Sequence, residues 1–342
     1  MKDFDARLFR EHWHLACHRN ELPVPGDYLR MQTPLGDLVV FNDSGELLAF
    51  DNLCPHRGAR MFDGEAGNGP ATCRYHGWTY DKGRVIVPMA EEFAGCDTSR
   101  ARLNTYRLDW CGDFLFVGIA PRMALYEQLG EAAALLENIG FNIANRLDLN
   151  AGSFRCYWPV AVENALEPYH ISMVHPETLG MLELEAGSNE YLGRNSVWYA
   201  PLGNARVDKQ LRSLKRHFAI DYGYEGYMSV YLFPFTMISS TFGYSYSLQH
   251  FLPAQDGQNT HFSSRLLGTH LANERAAQLL APLFTSTAAI NRKVFEEDHQ
   301  VCQLVPKSSW STAPLVFPAA SEAKIEHFRQ SCRDWLAARP GP

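Results

Sequence analysis

The chain has 342 residues, of which 46% are hydrophobic, so it is long enough to bury a large core and to form two domains. Its 31 basic and 38 acidic side chains give a formal charge of -7, without the basic runs that bind nucleic acid or anionic membranes. No apolar stretch has the length of a transmembrane helix or the form of a signal peptide, so we expect a cytoplasmic protein.

The first third of the chain is typical of short strands and turns. From Gly26 to about Val117, apolar residues alternate with polar residues. Turn signals such as Pro-Leu-Gly and Asp-Ser-Gly interrupt this pattern. This pattern predicts an all-β module of roughly a hundred residues. A change in composition near Pro121 marks the boundary between the two expected domains, 1–120 and 121–342.

The rest of the chain mixes helices with strands. Residues 226–240 predict one strand, and residues 245–271 predict a strand pair joined through the turn signal at Asp256-Gly257. Asn273 is expected to cap a long helix, and residues 321–338 show the periodicity of a further amphipathic helix. The sequence therefore predicts an α+β fold, with an antiparallel sheet and long helices after the all-β module.

One cluster of metal-ligand residue types lies in the all-β module. Cys54-x-His56 is followed after sixteen residues by Cys73-x-x-His76, and no other cysteine of the eight is followed by a histidine two or three positions later. Such pairs can form a zinc site or an iron–sulfur site, or arise by coincidence. Two loops that each offer one thiolate and one imidazole suit a two-iron cluster, with both cysteines on one iron and both histidines on the other.

A second cluster lies in the segment EPYHISMVHP, which places His170 and His175 five residues apart. On a straight α-helix these side chains point about 140° apart, so they can face one metal only if the helix distorts or ends near Pro176. Histidines at the surface or in the core are the alternative interpretation. Two histidines and a carboxylate form the facial triad of non-haem Fe(II) oxygenases, which leaves positions open for dioxygen and substrate.

Together the two clusters resemble the α-subunit of a Rieske non-haem iron oxygenase. The first matches the Rieske motif C-x-H-x16-C-x2-H, and the second matches the iron motif N-x-x-D-x-Y-H-x4-H through Asn164, Tyr169, His170 and His175. Glu167 stands where that family usually has a bridging aspartate. The resemblance implies an N-terminal Rieske domain and a C-terminal helix-grip catalytic domain.

The resemblance also implies the cofactors and their ligands. A [2Fe–2S] cluster would be held by Cys54, His56, Cys73 and His76. A mononuclear Fe(II) would be held by three residues on the catalytic domain, namely His170, His175 and Asp298. The alternative interpretation is that Glu296, Glu297 and Asp298 are an ordinary solvated acidic run.

Two further residues are candidate catalytic residues by the same resemblance. Glu167 would link a Rieske histidine, His76, of one subunit to the iron ligand His170 of its neighbour, and Asn164 accompanies it in the motif. A glutamate at this position also resembles the members that act on quaternary ammonium compounds. The carboxylate would orient both imidazoles.

The expected function is that of a terminal oxygenase, which uses O2 to hydroxylate or oxidatively demethylate a small aromatic or quaternary ammonium substrate. Neither a G-x-G-x-x-G motif nor a P-loop is present, so electrons should come from a separate NADH-dependent reductase, with or without a ferredoxin. We expect a homotrimer. The alternatives are a Rieske-type electron carrier or redox sensor with a ligand-binding C-terminal domain, and a zinc-stabilised binding protein.

Candidate substrate-pocket residues are less specific. Residues Tyr231, Phe233, Phe235 and Met237 alternate along the predicted strand, and Met173 lies between the two histidines. Core packing gives the same pattern and is the favoured interpretation. A second set comprises three tyrosines, Tyr222, Tyr224 and Tyr227. They could form an aromatic cage for a cation or belong to a loop, where their neighbouring glycines are common.

Overall fold

A computed structural model describes residues 2–221 and 223–338 of the chain. It divides into two compact units, Met1–Leu125 and Tyr126–Pro342, a few residues after the boundary expected near Pro121. Strands dominate the first unit, and the second combines one antiparallel sheet with helices. The predicted α+β fold is confirmed.

The first unit contains three small antiparallel sheets. Its elements are α1 (Lys2–Arg10), β1 (Trp13–His18), β2 (Asp27–Thr33), β3 (Gly36–Asp43), β4 (Glu46–Asp51), β5 (Ala66–Asn68), β6 (Ala71–Thr72), β7 (Thr79–Asp81), β8 (Arg84–Ile86), β9 (Arg107–Cys111) and β10 (Phe114–Gly118). The sheets have the strand orders β4-β3-β2-β5, β6-β7-β8 and β1-β10-β9.

Apolar side chains between the first two of these sheets form a common core. It includes Phe41, Phe50 and Phe62, whose rings contact one another, and it extends to the thiols of Cys54 and Cys73. Because Cys54 follows β4 and Cys73 follows β6, the packing of the two sheets brings the two cysteine-bearing loops together.

The second unit is built on a seven-stranded antiparallel sheet with the order β11-β17-β16-β15-β14-β13-β12. Its elements are α2 (Leu125–Leu129), α3 (Ala132–Gly140), β11 (Ile143–Phe154), α4 (Trp158–Leu166), α5 (Ile171–Val174), β12 (Ser188–Leu192), β13 (Asn195–Ala200), α6 (Ala205–Leu214), β14 (Tyr227–Leu232), β15 (Thr236–Thr241), β16 (Ser245–Pro253), β17 (Thr260–Thr269), α7 (Glu274–Cys302) and α8 (Ala323–Ala337). The hairpin of β16 and β17 turns at Asp256 and Gly257, as predicted.

The long helix α7 carries the acidic residues of interest in its second half. The side chain of Asn273 accepts a hydrogen bond of 3.0 Å from the amide of Ala276, which confirms the predicted N-cap. The helix extends over 29 residues despite Pro282 in its third turn. The predicted C-terminal amphipathic helix is also confirmed, as α8. Within the described residues, no helix combines the length and apolar character needed to cross a membrane.

One predicted strand is wrong. The segment of residues 226–240 forms two strands, because β14 ends at Leu232 and β15 begins only at Thr236. Pro234 lies in the connection, where a residue without a backbone N–H costs no hydrogen bond of the sheet. The apolar alternation continues across the turn because both arms of this hairpin are buried.

Candidate metal centres

The two loops of the first unit that carry the Cys/His pairs have the same backbone turn. In each, the cysteine amide donates to the carbonyl five residues ahead, at 2.7 Å for Cys54 and 2.8 Å for Cys73. Gly58 and Gly77, each four residues after its cysteine, donate back to the cysteine carbonyl at 2.9 Å. Both glycines have positive φ, +70° and +73°, a conformation in which a side chain is strained.

The four predicted ligands of these loops face one another. The rings of His56 and His76 lie 4.7 Å apart between centroids, and Cys54 and Cys73 are buried with their thiols within hydrogen-bond reach. Burial, together with the neighbouring thiol, raises the pKa of Cys54, so a thiolate there requires a compensating cation such as a metal. Among the described residues the buried Nδ1 of His56 has no hydrogen-bond partner. Two thiols and a vacant imidazole nitrogen fit the donor set of a Rieske cluster.

The two histidines differ in their surroundings. Trp78 stacks on His56, with the ring planes 8° apart and the centroids at 4.8 Å. His76 is exposed, and Tyr75 stacks on it with 3.9 Å between ring centroids. Arg57 lies 5.4 Å above the Tyr75 ring. One imidazole of the pair is therefore held by the core, and the other lies at the surface of its unit.

Asn52 holds the first Cys/His loop in place through buried hydrogen bonds. It is fully buried, and its amide donates to the carbonyl of Phe62 at 2.7 Å. Its side-chain oxygen accepts from the amides of Met61 and Phe62 at 3.1 and 2.8 Å. These bonds hold both ends of the loop that contains Cys54 and His56. Neither Cys/His motif includes Asn52, and the signal available in the sequence was an amide side chain two positions before the first cysteine.

In the second unit, two prolines interrupt the helix that carries the histidines. Proline disfavours helical backbone in the preceding residue. Glu167, before Pro168, is extended and ends α4, while His175, before Pro176, ends the four-residue helix α5. His170 and His175 therefore stand at the two ends of a single turn rather than on a continuous helix. The predicted distortion near Pro176 is confirmed.

This break brings three predicted ligands together. One ligand atom each of His170, His175 and Asp298 lies within 4.8 Å of the others. The Oδ1 atom of Asp298 is 2.9 Å from Nε2 of His175 and 3.5 Å from Nε2 of His170. Burial acts to raise the pKa of Asp298, but bonds to both imidazoles outweigh it and hold that pKa below its usual value. Two nitrogens and an ionised carboxylate converging on one point fit a non-haem Fe(II) site.

Each of these three side chains also has a hydrogen-bond partner outside the triad. Nδ1 of His170 is 2.7 Å from Glu167, and Nδ1 of His175 is 2.8 Å from Glu297. Asn164 donates a bond of 2.7 Å to Asp298. With Nδ1 of each imidazole on a carboxylate, Nε2 is directed at the site where a metal would lie. Burial lowers the pKa of His170, yet hydrogen bonds to Asp298 and Glu167 raise it overall to about 9.

The orientation of Glu297 contradicts the alternative that residues 296–298 are a solvated acidic run. Glu296 is exposed, as expected of a solvated residue, but the carboxylate of Glu297 points inward and accepts from His175 and from the hydroxyl of Thr178 at 2.7 Å. It is therefore a partner of a predicted iron ligand. Its position next to Asp298 was the one signal in the sequence.

A cavity of about 390 Å³ opens beside the three ligands. Its floor is one face of the sheet, since the register of β14, β15 and β16 aligns Ser229, Ser239 and Ser247 on the same side. Its walls include the helical residues His170, His175 and Asp298. The cavity thus joins the candidate iron site to a mixed polar and apolar surface.

The pocket residues suggested by the sequence are only partly confirmed. Met237 lines the cavity, whereas Tyr231, Phe233 and Phe235 are buried in the core, and the side chain of Met173 is exposed. Core packing, the alternative, is correct for those three aromatic residues.

The proposed tyrosine cage is not assembled as a set in the described residues. Tyr222 lies outside them, Tyr224 does not line the cavity, and Tyr227 does. Tyr227 meets Trp198, which sequence analysis missed, in an edge-to-face contact with 5.8 Å between centroids.

Two family models match this chain, one in each unit. Residues 12–96 match the Rieske [2Fe-2S] domain, and residues 137–338 match the ring hydroxylating alpha subunit (catalytic domain). The chain belongs to the Rieske oxygenase α-subunit family. The Rieske oxygenase family implies a [2Fe–2S] cluster and a mononuclear iron, and the two donor sets described above fit these groups.

Individual relatives are similar to parts of this chain. The subunit alpha of toluate 1,2-dioxygenase from Pseudomonas putida is 32% identical over 49% of this chain and 40% of its own length. The oxygenase subunit of glycine betaine monooxygenase from Pseudomonas aeruginosa is 28% identical over 51% and 42%. This chain therefore spans less than half the length of either relative in the aligned regions.

The fold also resembles solved structures over nearly its whole length. The crystal structure of the quaternary ammonium Rieske monooxygenase CntA in complex with substrate L-carnitine matches with a TM-score of 0.72. The match covers 97% of this chain and 91% of that chain at 17% sequence identity. At this identity the likeness concerns the fold.

Proposed function

We propose that the protein is the terminal oxygenase of a multicomponent Rieske system, which uses O2 to hydroxylate or oxidatively demethylate a small organic substrate. The observation that carries this proposal is the convergence of His170, His175 and Asp298 within 4.8 Å beside a cavity of about 390 Å³. A site with three protein ligands leaves positions for dioxygen and substrate. The family match of residues 137–338 supports it.

In this proposal each side chain has a defined task. Cys54, Cys73, His56 and His76 hold the [2Fe–2S] cluster, and His170, His175 and Asp298 hold Fe(II). Iron bound there would supply the reductive activation of dioxygen. The remaining tasks belong to three neighbours: Glu167 and Glu297 orient the imidazoles, and Asn164 holds the carboxylate of Asp298.

Glu167 is also the proposed link between subunits of a homotrimer. One of its oxygens accepts from Nδ1 of His170, and the other accepts from the amides of Tyr169 and His170. Its position is therefore fixed by its own chain. An exposed Rieske histidine such as His76 suits a contact with a second subunit. A separate NADH-dependent reductase or ferredoxin supplies the electrons, and we place the protein in the cytoplasm.

The substrate class is aromatic or quaternary ammonium. Toluate, glycine betaine and L-carnitine are named for the relatives and the solved structure described above. All three compounds carry a carboxylate. The edge-to-face pair of Trp198 and Tyr227 in the cavity wall suits either an aromatic ring or a trimethylammonium group.

Metal analysis with electron paramagnetic resonance tests the proposal. Protein reconstituted anaerobically should contain three irons and two sulfides per chain; an electron carrier would contain two irons, and a zinc protein none. A His170→Ala variant should keep the cluster spectrum and its brown colour but lose product formation with an added reductase. Turnover that survives this substitution would refute the iron assignment.

A further inference from the structure

Lys324 is a buried lysine that borders the candidate active-site cavity. It is 2% exposed and belongs to the first turn of α8. Among the described residues that line the cavity, it is the one lysine or arginine. The acidic residues of the lining are Glu167, Glu177 and Asp298.

The packing of α8 explains why this side chain faces inward. Phe328 lies four residues later, and residues four apart share one face of a helix. Its ring packs edge-on against Trp158 at 5.8 Å and Tyr231 at 5.9 Å, so this face of α8 is turned toward α4 and β14. Lys324 lies one turn before Phe328 on the same buried face of α8, where the packed core borders the cavity.

The ammonium group of Lys324 has no partner among the described residues. Within residues 2–221 and 223–338 it makes no hydrogen bond or ion pair, and burial alone lowers its pKa to about 7. Neither Asp298 nor Glu167 contributes to that shift. The iron-site carboxylates are therefore not the counter-charge of this lysine.

Lys324 is unfavourable for stability on two grounds. A buried cation without a partner loses its hydration and gains nothing in return. A cation in the first turn of a helix also faces the positive end of the helix dipole. The same two features make the position favourable for an anion that enters the cavity, since such an anion would pair with the lysine and with the helix end.

We infer that Lys324 recognises a carboxylate group of the substrate, and so makes this a Rieske oxygenase for carboxylate-bearing compounds. The inference rests on the proposed function and adds the chemical class of the substrate. The carboxylate would bind at the N-terminal end of α8, with the rest of the molecule extending through the cavity toward His170, His175 and Asp298.

Binding to the iron-loaded full-length protein tests this inference without turnover. The probes are 4-methylbenzoate and glycine betaine, each compared by titration calorimetry with its carboxamide. The wild-type protein should bind at least one carboxylate more tightly than its carboxamide, and which one it binds separates an aromatic from a quaternary ammonium substrate. If neither carboxylate binds in the millimolar range, the inference is wrong.

Three variants make the test specific. In Lys324→Met, which keeps the length of the side chain, we expect roughly tenfold or greater weakening of carboxylate binding, with carboxamide binding unchanged. Lys324→Arg should restore part of the affinity, and Lys209→Met, on exposed α6, should behave as wild type. Equal carboxylate binding by wild type and Lys324→Met would overturn the inference.

Two further readouts separate the possible failures. Lys324→Met should melt no lower than wild type, because an unpaired buried charge is removed; a lower melting temperature with loss of both ligand types would assign the lysine a structural role and overturn the inference. A protein that binds carboxylates through Lys324 but forms no product would refute the proposed function alone. Equal KM values of wild type and Lys324→Met for a carboxylate that is turned over would refute this inference alone.

Discussion

Asn164 donates a hydrogen bond of 2.7 Å to Asp298, which joins the last turn of α4 to the second half of α7. The bond fixes the same oxygen, Oδ1, that faces both imidazoles. We predict that Asn164→Ala lowers iron affinity roughly 10- to 100-fold, as loss of an outer partner of a metal ligand does. Iron retained after dialysis measures it. Asn145→Ala, at an exposed position, is the control, and equal retention in both variants would contradict the prediction.

Glu297 holds His175 through Nδ1 at 2.8 Å. Glu297→Ala removes the acceptor that keeps the imidazole in the orientation that directs Nε2 to the metal, so this variant should also weaken iron binding roughly 10-fold or more. The adjacent exposed residue provides a matched control, Glu296→Ala, which should bind iron as wild type does. Competition with a chelator of known affinity compares the two, and indistinguishable curves would remove Glu297 from the site.

Glu167 lies in the proposed electron path rather than among the iron ligands. Glu167→Gln should keep its iron and its cluster, because an amide oxygen can still accept from His170. Cluster oxidation in a single turnover, followed by stopped-flow absorbance, should become at least tenfold slower. Glu190→Gln, at an exposed glutamate of β12 outside the cavity lining, is the control. Unchanged kinetics in Glu167→Gln would exclude the residue from electron transfer.

Asn52 should matter for the stability of the cluster loop. Replacement by alanine leaves the amides of Met61 and Phe62 without their acceptor, a loss of about 2–4 kcal/mol in the free energy of unfolding of the first unit. Faster bleaching of the cluster and an earlier denaturant midpoint would show this. The exposed Asn104→Ala is the control, and a midpoint equal to that control would mean that the loop does not depend on Asn52.

The residues that could be identified from the sequence alone belong to combinations that are unusual in any fold. Rare combinations of residues include two Cys/His pairs at ligand spacing and two histidines that each lie near a proline. Within each unit, the structure brings the members of its own set together. Proline restricts the backbone locally, so the break between His170 and His175 was predictable without knowledge of the tertiary fold.

The residues that sequence missed depend on long-range packing. Glu297 and His175 are 122 positions apart, and only the rotation of α7 decides that Glu297 rather than Glu296 faces inward. Lys324 likewise has a defined role only because Phe328 turns its face of α8 inward. The strand error has the same origin, because burial of both β14 and β15 continues the apolar alternation through the turn at Pro234.

Pro168 and Pro176 have a consequence for how iron is loaded. Their rings restrict the backbone of Glu167 and His175 whether or not an ion is bound, so the helix break that separates His170 from His175 does not depend on iron. Removal of iron by a chelator should therefore leave the secondary structure of the second unit unchanged, and added Fe(II) should restore the site.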